Sequence, residues 1–284
     1  MIEILGSIPS PPSNDFYIGP LRITFYGILV MTGVVVAWLI IKNRYAVRGG
    51  DVAVAERIVI RFVIWGFIGA RIAYISTHLS RFEGEWWKVI AVWEGGLAIY
   101  GGLTAGAIAL VYYTRKFGAN LPDLLDSVAP AVPAAQAIGR WGNYFNQELF
   151  GTPTALPWGL EIDPENRPAA YPDAETFHPT FLYESLLNVG LVFVIIWAGN
   201  RFPSLRGRLV GLYFMGYGVI RFLMELIRTD TTFRFWGISR NGWVSVAAVG
   251  LGAVFVFWKR IRVEDNGYTL VRDRSKRQVD QGST

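Results

Sequence analysis

Charged side chains occur in this sequence inside stretches that are otherwise apolar. Arg221, Glu225 and Arg228 occupy positions i, i+4 and i+7 of one such stretch, a spacing that puts them on one face of a helix. A charge inside hydrocarbon costs at least ~2.5 kcal/mol, so each of these residues needs a partner or a function. An ion pair within the helix would satisfy Arg221 and Glu225 by themselves. The density of charge in the chain favours a functional cluster.

A second polar cluster lies in residues 139–151, Gly-Arg-Trp-Gly-Asn-Tyr-Phe-Asn-Gln-Glu-Leu-Phe-Gly. The planar guanidinium of Arg140 can hold two phosphate oxygens and never loses its charge. Asn143, Asn146 and Glu148 follow it, and the glycines let a backbone or a ligand approach closely. The pattern indicates an anion site. The residues leave open a structural interpretation, a polar turn buried in protein.

Two further segments carry polar groups next to apolar runs. In residues 94–106, pairs of glycines flank Tyr100, whose phenol can donate a hydrogen bond to a phosphate or ester oxygen. Small residues at this spacing also favour close packing of membrane helices. His178 precedes Pro179 at the start of another apolar run, where it is either functional or a neighbour of the helix cap. Glu184, within that run, is expected to pair with an arginine such as Arg140 or Arg221.

The elements that must position these groups are helices that cross a membrane. The chain is 52% hydrophobic and 17% charged, and a bilayer is the natural solvent for that composition. Crossing ~30 Å of hydrocarbon takes ~20 mostly apolar residues. Apolar runs of suitable length predict an all-α, polytopic membrane protein with about seven spans, at 21–41, 57–78, 96–114, 121–139, 180–198, 208–227 and 242–258.

Basic residues predict the orientation, because loops on the cytoplasmic side carry an excess of Lys and Arg. Basic residues follow the first, third, fifth and last spans: Lys42, Arg44, Arg48, Arg115, Lys116, Arg201, Arg206, Arg208, Lys259, Arg260 and Arg262. The amino terminus is therefore expected outside and the carboxyl terminus in the cytoplasm. The acidic and mixed loop at 141–178 then faces outward, which places the polar clusters toward the outer leaflet.

The composition also restricts the chemistry. With no cysteine and two histidines, the chain offers no disulfide, no thiol nucleophile and almost no His-rich metal site, so no metal or organic cofactor is expected. The net charge of +5 is spread over loops and forms no basic stripe, so no nucleic-acid partner is expected. We predict one catalytic membrane domain at 1–262 and a polar, disordered cytoplasmic tail at 263–284.

Taken together, these segments resemble the bacterial prolipoprotein diacylglyceryl transferase family over nearly the whole chain. The resemblance is carried by five segments, at 23–27, around Tyr100, at 139–151, at 178–184 and at 221–230. It implies an enzyme of the bacterial inner membrane that transfers the diacylglyceryl group of phosphatidylglycerol to the lipobox cysteine of a prolipoprotein. The bond formed is a thioether, glycerol phosphate is released, and the partners are phosphatidylglycerol, signal peptides with a lipobox cysteine and membrane lipids.

The resemblance also implies roles for single residues. Those matching Arg140 and Arg221 hold the phosphate, and those matching Tyr26, Asn143, Glu148, Gly151, Glu225 and Arg228 are functionally important. We expect Asn146 to orient the head group and Glu148 and Glu225 to hold the arginines. Many family members have histidine where this chain has Tyr100. Tyrosine, with an ordinary pKa of ~10, is a poor base at neutral pH, so Tyr100 is expected to donate a hydrogen bond.

A secondary transporter of an anionic substrate is the alternative from another class, because charge within a membrane often marks a substrate path. Many transporters carry inverted repeats and place their sites near the midplane of the bilayer. The sequence shows no such repeat, and its charges gather toward one end of the predicted spans. An enzyme is the better interpretation of this pattern.

Overall fold

The computed structural model describes residues 6–91, 95–229 and 234–257. Helices dominate it, as predicted. They are α1 Phe25–Val47, α2 Val52–Thr77, α3 Ile99–Lys116, α4 Leu121–Val128, α5 Ala131–Phe145, α6 Thr180–Arg201, α7 Leu209–Ile227 and α8 Arg240–Phe257. Short 3-10 helices occupy Leu79–Phe82, Trp86–Val89, Pro164–Asn166 and Pro203–Leu205. The predicted tail at 263–284 lies outside the described residues.

Five helices in the described ranges, α1, α2, α6, α7 and α8, are long and apolar enough to cross a membrane. This finding supports an all-α integral membrane protein. The predicted span at 121–139 is not one helix, because α4 ends at Val128 and α5 begins at Ala131. Pro130 separates them. A proline has no N–H to donate and its ring crowds the preceding turn, so a continuous helix is interrupted there.

The helices pack in the pairs α2–α3, α7–α8, α1–α5, α5–α6 and α6–α7. Close approach depends on glycine where backbones touch. A Cβ at Gly69 of α2 would lie 2.7 Å from the carbonyl oxygen of Gly101 in α3, and one at Gly101 would lie 2.6 Å from the carbonyl oxygen of Gly69. The glycines near Tyr100 therefore serve helix packing, which is the structural interpretation considered for them.

In the part of the chain that the structure describes, the strands are short and form three antiparallel pairs. β1 Asp15–Ile18 pairs with β2 Leu21–Thr24, β3 Leu160–Glu161 with β4 Thr176–Phe177, and β5 Arg234–Phe235 with β6 Ile238–Ser239. The middle hairpin belongs to the segment between α5 and α6, which is folded around its own apolar core. That core consists of Phe150, Leu160, Ile162, Phe177 and Phe181.

The amino-terminal segment crosses this folded loop. Ile8 donates to the carbonyl of Gly159 at 2.8 Å, and Ser10 donates to a carboxylate oxygen of Asp163 at 2.7 Å. The Tyr144 hydroxyl, at the end of α5, donates to the carbonyl of Pro9 at 3.0 Å. The loop between α5 and α6 is thereby held at the end of the helical bundle where α5 ends and α6 begins.

Candidate functional site

Four helix ends meet beneath the folded loop: the first turn of α1, the last turns of α5 and α7, and the first turns of α6. Tyr26 of α1 lies against Gly142 of α5, where a Cβ would come within 2.4 Å of the tyrosine ring. Phe25 stacks on Phe145 with ring centroids 4.6 Å apart. The glycine thus lets Tyr26 pack against α5 on the side of the helix opposite to Arg140.

Arg140 is held by groups from three helices. Its Nη2 lies 2.6 Å from Oε1 of Glu184 in α6 and donates to the hydroxyl of Tyr217 in α7 at 3.3 Å. Its Nη1 donates to Oδ1 of Asn143, one turn further along α5, at 3.2 Å. The Glu184 side chain is only 3% exposed, so this is a buried ion pair, and the expected pairing of Glu184 with an arginine is found.

Within the described residues, Glu148 contacts two amides and forms no ion pair with an arginine. Its Oε1 accepts a hydrogen bond from Nδ2 of Asn143 at 2.8 Å and from Nδ2 of Asn146 at 3.2 Å. Glu184 is the carboxylate that pairs with Arg140 directly, and the expected role of Glu148 in holding an arginine stays a prediction. Glu148 acts one step away, because it orients the Asn143 amide whose oxygen accepts from Arg140.

Arg221 pairs with Glu225 along α7, as the i, i+4 spacing predicts, with 2.9 Å between Nη2 and Oε2. Asn241 at the start of α8 donates to the other oxygen of Glu225 at 3.5 Å. The Nη1 atom of Arg221 is buried and has no hydrogen-bond partner among the described residues. A buried N–H without an acceptor costs free energy, so its presence calls for an explanation such as a bound ligand.

Tyr217 contacts Arg140 and lies one helical turn before Arg221. Its hydroxyl accepts from Arg140 and donates to Glu184, each at 3.3 Å. Tyr217 also precedes Arg221 by four residues on α7, so the two share one helical face. Guanidinium groups from α5 and α7 therefore face a common polar region.

Gly151 and Arg228 connect the loop to the end of α7. Gly151 forms an antiparallel bridge with Arg228, and the N–H of Thr152 donates to the carbonyl of Ile227 at 2.7 Å. A Cβ at Gly151 would lie 2.8 Å from Cβ of His178 and 3.0 Å from the carbonyl oxygen of Ile227. Only glycine fits there, and the Arg228 side chain is buried beside this junction.

The turn that carries Glu148 has an unusual backbone. Gln147 and Leu149 have φ of 48° and 59°, in the left-handed region that costs energy for residues other than glycine. The Gln147 amide is fixed by Asp163, because its Oε1 accepts from the Asp163 N–H at 2.8 Å and its Nε2 donates to Oδ2 at 2.5 Å. Hydrogen bonds from Gln147 and Ser10 lower the pKa of Asp163.

Tyr100 lies apart from this cluster. It occupies the first turn of α3, its side chain is 68% exposed, and no hydrogen bond, ion pair or ring contact links it to Arg140 or Arg221 within the described ranges. Arg71 organises the loop before it by donating to the carbonyls of Val89, Gly95 and Gly96 at 2.7–2.9 Å. Glu94 falls outside the described residues.

His178 is engaged in the folded loop. Its Nδ1 lies 3.2 Å from the hydroxyl of Tyr183, and that hydroxyl accepts from Nε1 of Trp158 at 2.9 Å. These contacts fit a residue that supports the junction between loop and helix.

Sequence reasoning missed the tyrosines and the glutamine that line the polar region. Tyr213 and Tyr217 stack with ring centroids 5.7 Å apart, and Gln136 donates to the Tyr213 hydroxyl at 3.1 Å. The signal was the spacing, because Tyr213, Tyr217, Arg221 and Glu225 recur every four residues of α7. Tyrosines in an apolar run are common, and the spacing stood out only beside the charged residues.

The fold and the cluster around Arg140 and Arg221 define a class of protein. It is an α-helical integral membrane protein in which arginines, their carboxylate partners and carboxamides gather at one end of the helical bundle. The family model described as prolipoprotein diacylglyceryl transferase matches residues 14–258. The chain belongs to the prolipoprotein diacylglyceryl transferase family, as its resemblance predicted.

Individual relatives agree with the family match. The chain is 43% identical over 253 residues to phosphatidylglycerol–prolipoprotein diacylglyceryl transferase 2 of Streptomyces coelicolor, covering 88% of this chain and 80% of the relative. It is 42% identical over 254 residues to the transferase of the same name from Cutibacterium acnes, covering 88% and 85%. The transferase of that name from Frankia alni is 37% identical over 286 residues, covering 97% and 75%.

Proposed function

We propose that the chain transfers the diacylglyceryl group of phosphatidylglycerol to the thiol of a lipobox cysteine in a prolipoprotein, forming a thioether. The names of its relatives supply this reaction. The observation that carries the proposal is that Tyr217 contacts Arg140 and lies one helical turn before Arg221, whose buried Nη1 has no acceptor among the described residues. An anionic phosphate is the complementary partner for such donors.

In the proposed reaction the cysteine sulfur attacks the glyceryl carbon that is bonded to the phosphate oxygen. The new C–S bond forms as that C–O bond breaks, and glycerol phosphate leaves with the bonding electron pair. The thiol loses its proton to water before the attack, and the phosphate, a singly charged diester, gains a second negative charge as it becomes a monoester. Fixed cations aimed at a group whose charge grows lower the barrier, because they need no reorganisation during the reaction.

The roles of the site residues follow from their contacts. Arg140 and Arg221 clamp the phosphate, Asn143 and Asn146 orient the head group, and Glu148 fixes both amides. Glu184 and Glu225 hold the two arginines. Three further residues frame the substrate-binding region: Tyr26, Gly151 and Arg228.

No side chain of this cluster is needed as a strong base. A free thiol has a pKa of ~8.5 and is a few per cent thiolate at pH 7, already a good nucleophile. Positioning and stabilisation of the leaving phosphate then supply most of the rate. Tyr100 keeps its proposed role as a hydrogen-bond donor to bound substrate, which its exposed hydroxyl can approach only when the substrate extends toward α3.

We further propose a multi-pass topology in the bacterial inner membrane, with the amino terminus outside and the carboxyl terminus in the cytoplasm. The spans are the five long apolar helices together with α3 and the interrupted pair α4–α5. In this orientation the folded loop and the arginine cluster face the outer leaflet. The catalytic domain covers 1–262, followed by the polar tail at 263–284.

The decisive experiment uses the purified full chain in detergent with phosphatidylglycerol and a synthetic lipobox peptide. Mass spectrometry of the peptide should show a gain of one diacylglyceryl group. A peptide with serine in place of the cysteine is the blank. Absence of the adduct, with a folded protein and intact lipid, would refute the proposal, and adduct formation without sealed vesicles would exclude a purely transporting role.

A further inference from the structure

A basic cavity lies at the opposite end of the bundle from the Arg140 cluster. Arg140 is near the end of α5 and close to the first turns of α6, whereas this cavity is formed where α1 and α6 end and α7 begins. It has a volume of about 400 Å³ and is lined by Val47, Arg48, Asp126, Gly199, Asn200, Pro203, Arg206 and Leu209. That volume is within the range of small-ligand sites.

The carboxylates at this cavity are already engaged. Both oxygens of Asp126 accept backbone hydrogen bonds, from Gly207 at 2.7 Å and Leu209 at 3.0 Å, so its charge caps the amino-terminal end of α7. Asp123 receives both a 2.9 Å and a 2.8 Å hydrogen bond from the guanidinium of Arg206. Asp126 and Asp123 are therefore both engaged, by backbone N–H groups and by Arg206.

Two arginines of α1, Arg44 and Arg48, interact with the charge of Asp126 only at longer range. Neither Arg44 nor Arg48 forms an ion pair with a carboxylate in the part of the chain that the structure describes. Arg48 donates only to the carbonyl of Arg44, at 3.3 Å. The Nε atom of Arg44 is buried without an acceptor, and its Nη2 lies 3.7 Å from the point where a Cβ of Gly199 would stand, so it borders the cavity.

A structural alternative is that these arginines only complement the negative carboxyl-terminal end of α1. That role explains their charge but not the buried Nε–H, which stays unsatisfied without a further acceptor. Around the cavity three guanidinium groups face two engaged carboxylates. The site therefore has a net positive charge and a buried N–H that can donate to an oxygen of a ligand.

We propose that this cavity binds the phosphate of an anionic phospholipid from the leaflet opposite to the one that supplies the reaction. A lipid is favoured over a free anion by position, because the cavity opens at the ends of α1 and α6, two of the candidate membrane spans. Lipid head groups lie at that level, and basic pockets between the ends of membrane helices bind them. The exposed Val47, Trp197 and Phe202 nearby offer apolar surface for acyl chains.

The test counts lipid bound to the full chain in detergent by native mass spectrometry, with dioleoyl-phosphatidylglycerol as the probe and dioleoyl-phosphatidylcholine as the neutral lipid. Arg48→Gln and Arg44→Gln should each weaken retention of one phosphatidylglycerol by about tenfold or more, since each removes a charged donor. Arg201→Gln removes the same charge from the same end, on an exposed residue that does not line the cavity, and should leave retention unchanged.

Several results would overturn the proposal. Equal loss in all three variants would mean diffuse attraction, and no loss in the two α1 variants would mean that the cavity does not hold the lipid. Competition by inorganic phosphate with no preference for the lipid would assign a free-anion site instead. Arg48 is partly exposed at the end of α1, so Arg48→Gln remains informative if Arg44→Gln fails to fold. The count of bound lipid does not depend on transfer, so failure of the proposed reaction would be seen separately.

Discussion

At the residue scale, Arg140 is oriented before any substrate arrives. A buried charge must be paired, and Glu184, Tyr217 and Asn143 satisfy its guanidinium from three directions. Within this cluster, Arg221 has a buried Nη1 without an acceptor among the described residues. Arg140 is a preorganised cation, and Arg221 has an N–H that can donate to a ligand. Together they are suited to bind a phosphate whose negative charge grows during the reaction.

Arg140→Lys should reduce kcat/KM for diacylglyceryl transfer by about 10²-fold or more. Lysine keeps the charge but not the planar fork that contacts Glu184, Tyr217 and Asn143 together, so the developing charge on the phosphate loses a fixed donor. The measurement is the rate of peptide adduct formation at several phosphatidylglycerol concentrations. Arg201→Lys, on an exposed residue at the other end of α6, is the control. A folded Arg140→Lys enzyme with near-normal turnover would remove Arg140 from the mechanism.

Glu184→Gln should lower both stability and transfer. The buried guanidinium of Arg140 loses its ion pair, and hydrogen bonds to charged groups contribute about 2 kcal/mol each. The thermal unfolding midpoint of the detergent-solubilised protein should fall, and KM for phosphatidylglycerol should rise as Arg140 loses its orientation. Glu184→Asp should restore part of both. A lower midpoint with unchanged KM and kcat would make Glu184 a structural residue only.

At the element scale, small residues decide how closely the helices approach. Gly69→Ala would put a Cβ 2.3 Å from Cβ of Ala105 and 2.7 Å from the carbonyl oxygen of Gly101. The α2–α3 pair must then separate, which should cost about 1–3 kcal/mol. Gly190→Ala in α6 meets nothing within 4 Å and should be neutral. Thermal unfolding of both variants checks this, and equal midpoints would show that the α2–α3 contact does not limit stability.

The folded loop should loosen in acid through Asp163. Its pKa is lowered by hydrogen bonds from Gln147 and Ser10, so its contribution is complete above the ordinary Asp value of ~3.9 and is lost as the pH falls through the lowered folded-state value. Amide hydrogen exchange in residues 146–163, corrected for intrinsic rates, should accelerate across that window. Asp163→Asn should abolish the pH dependence, and its persistence in this variant would assign the effect to another carboxylate.

At the scale of the whole molecule, the proposed topology places the folded loop and the turn between α6 and α7 on opposite sides of the membrane. The chain has no cysteine, so a single introduced cysteine reports its own location. Asp173→Cys should react with a membrane-impermeant maleimide in intact spheroplasts, and Ser204→Cys only after the membrane is opened. The reverse pattern would invert the orientation and move the arginine cluster to the cytoplasmic side.

The class of helical membrane proteins could be predicted from the composition and from the length of the apolar runs. A run of about 20 apolar residues is stable as a helix that crosses the hydrocarbon core of a bilayer. The ion pair of Arg221 with Glu225 was predictable too, since residues four apart on a helix always adjoin. The interruption at Pro130 was missed because hydropathy does not register a lost backbone donor. The folded core between α5 and α6 was missed for a related reason, as its apolar residues are scattered along the loop.

The sequence by itself determined which groups this protein brings to its chemistry and which family it belongs to, because those depend on residue types at fixed local spacing. Only the tertiary structure decided which carboxylate serves which arginine. Glu184 lies 44 positions after Arg140 and Glu148 only eight, yet Glu184 forms the ion pair and Glu148 binds two amides. Packing of α6 against both α5 and α7 sets these distances, and separation along the chain carries no information about them.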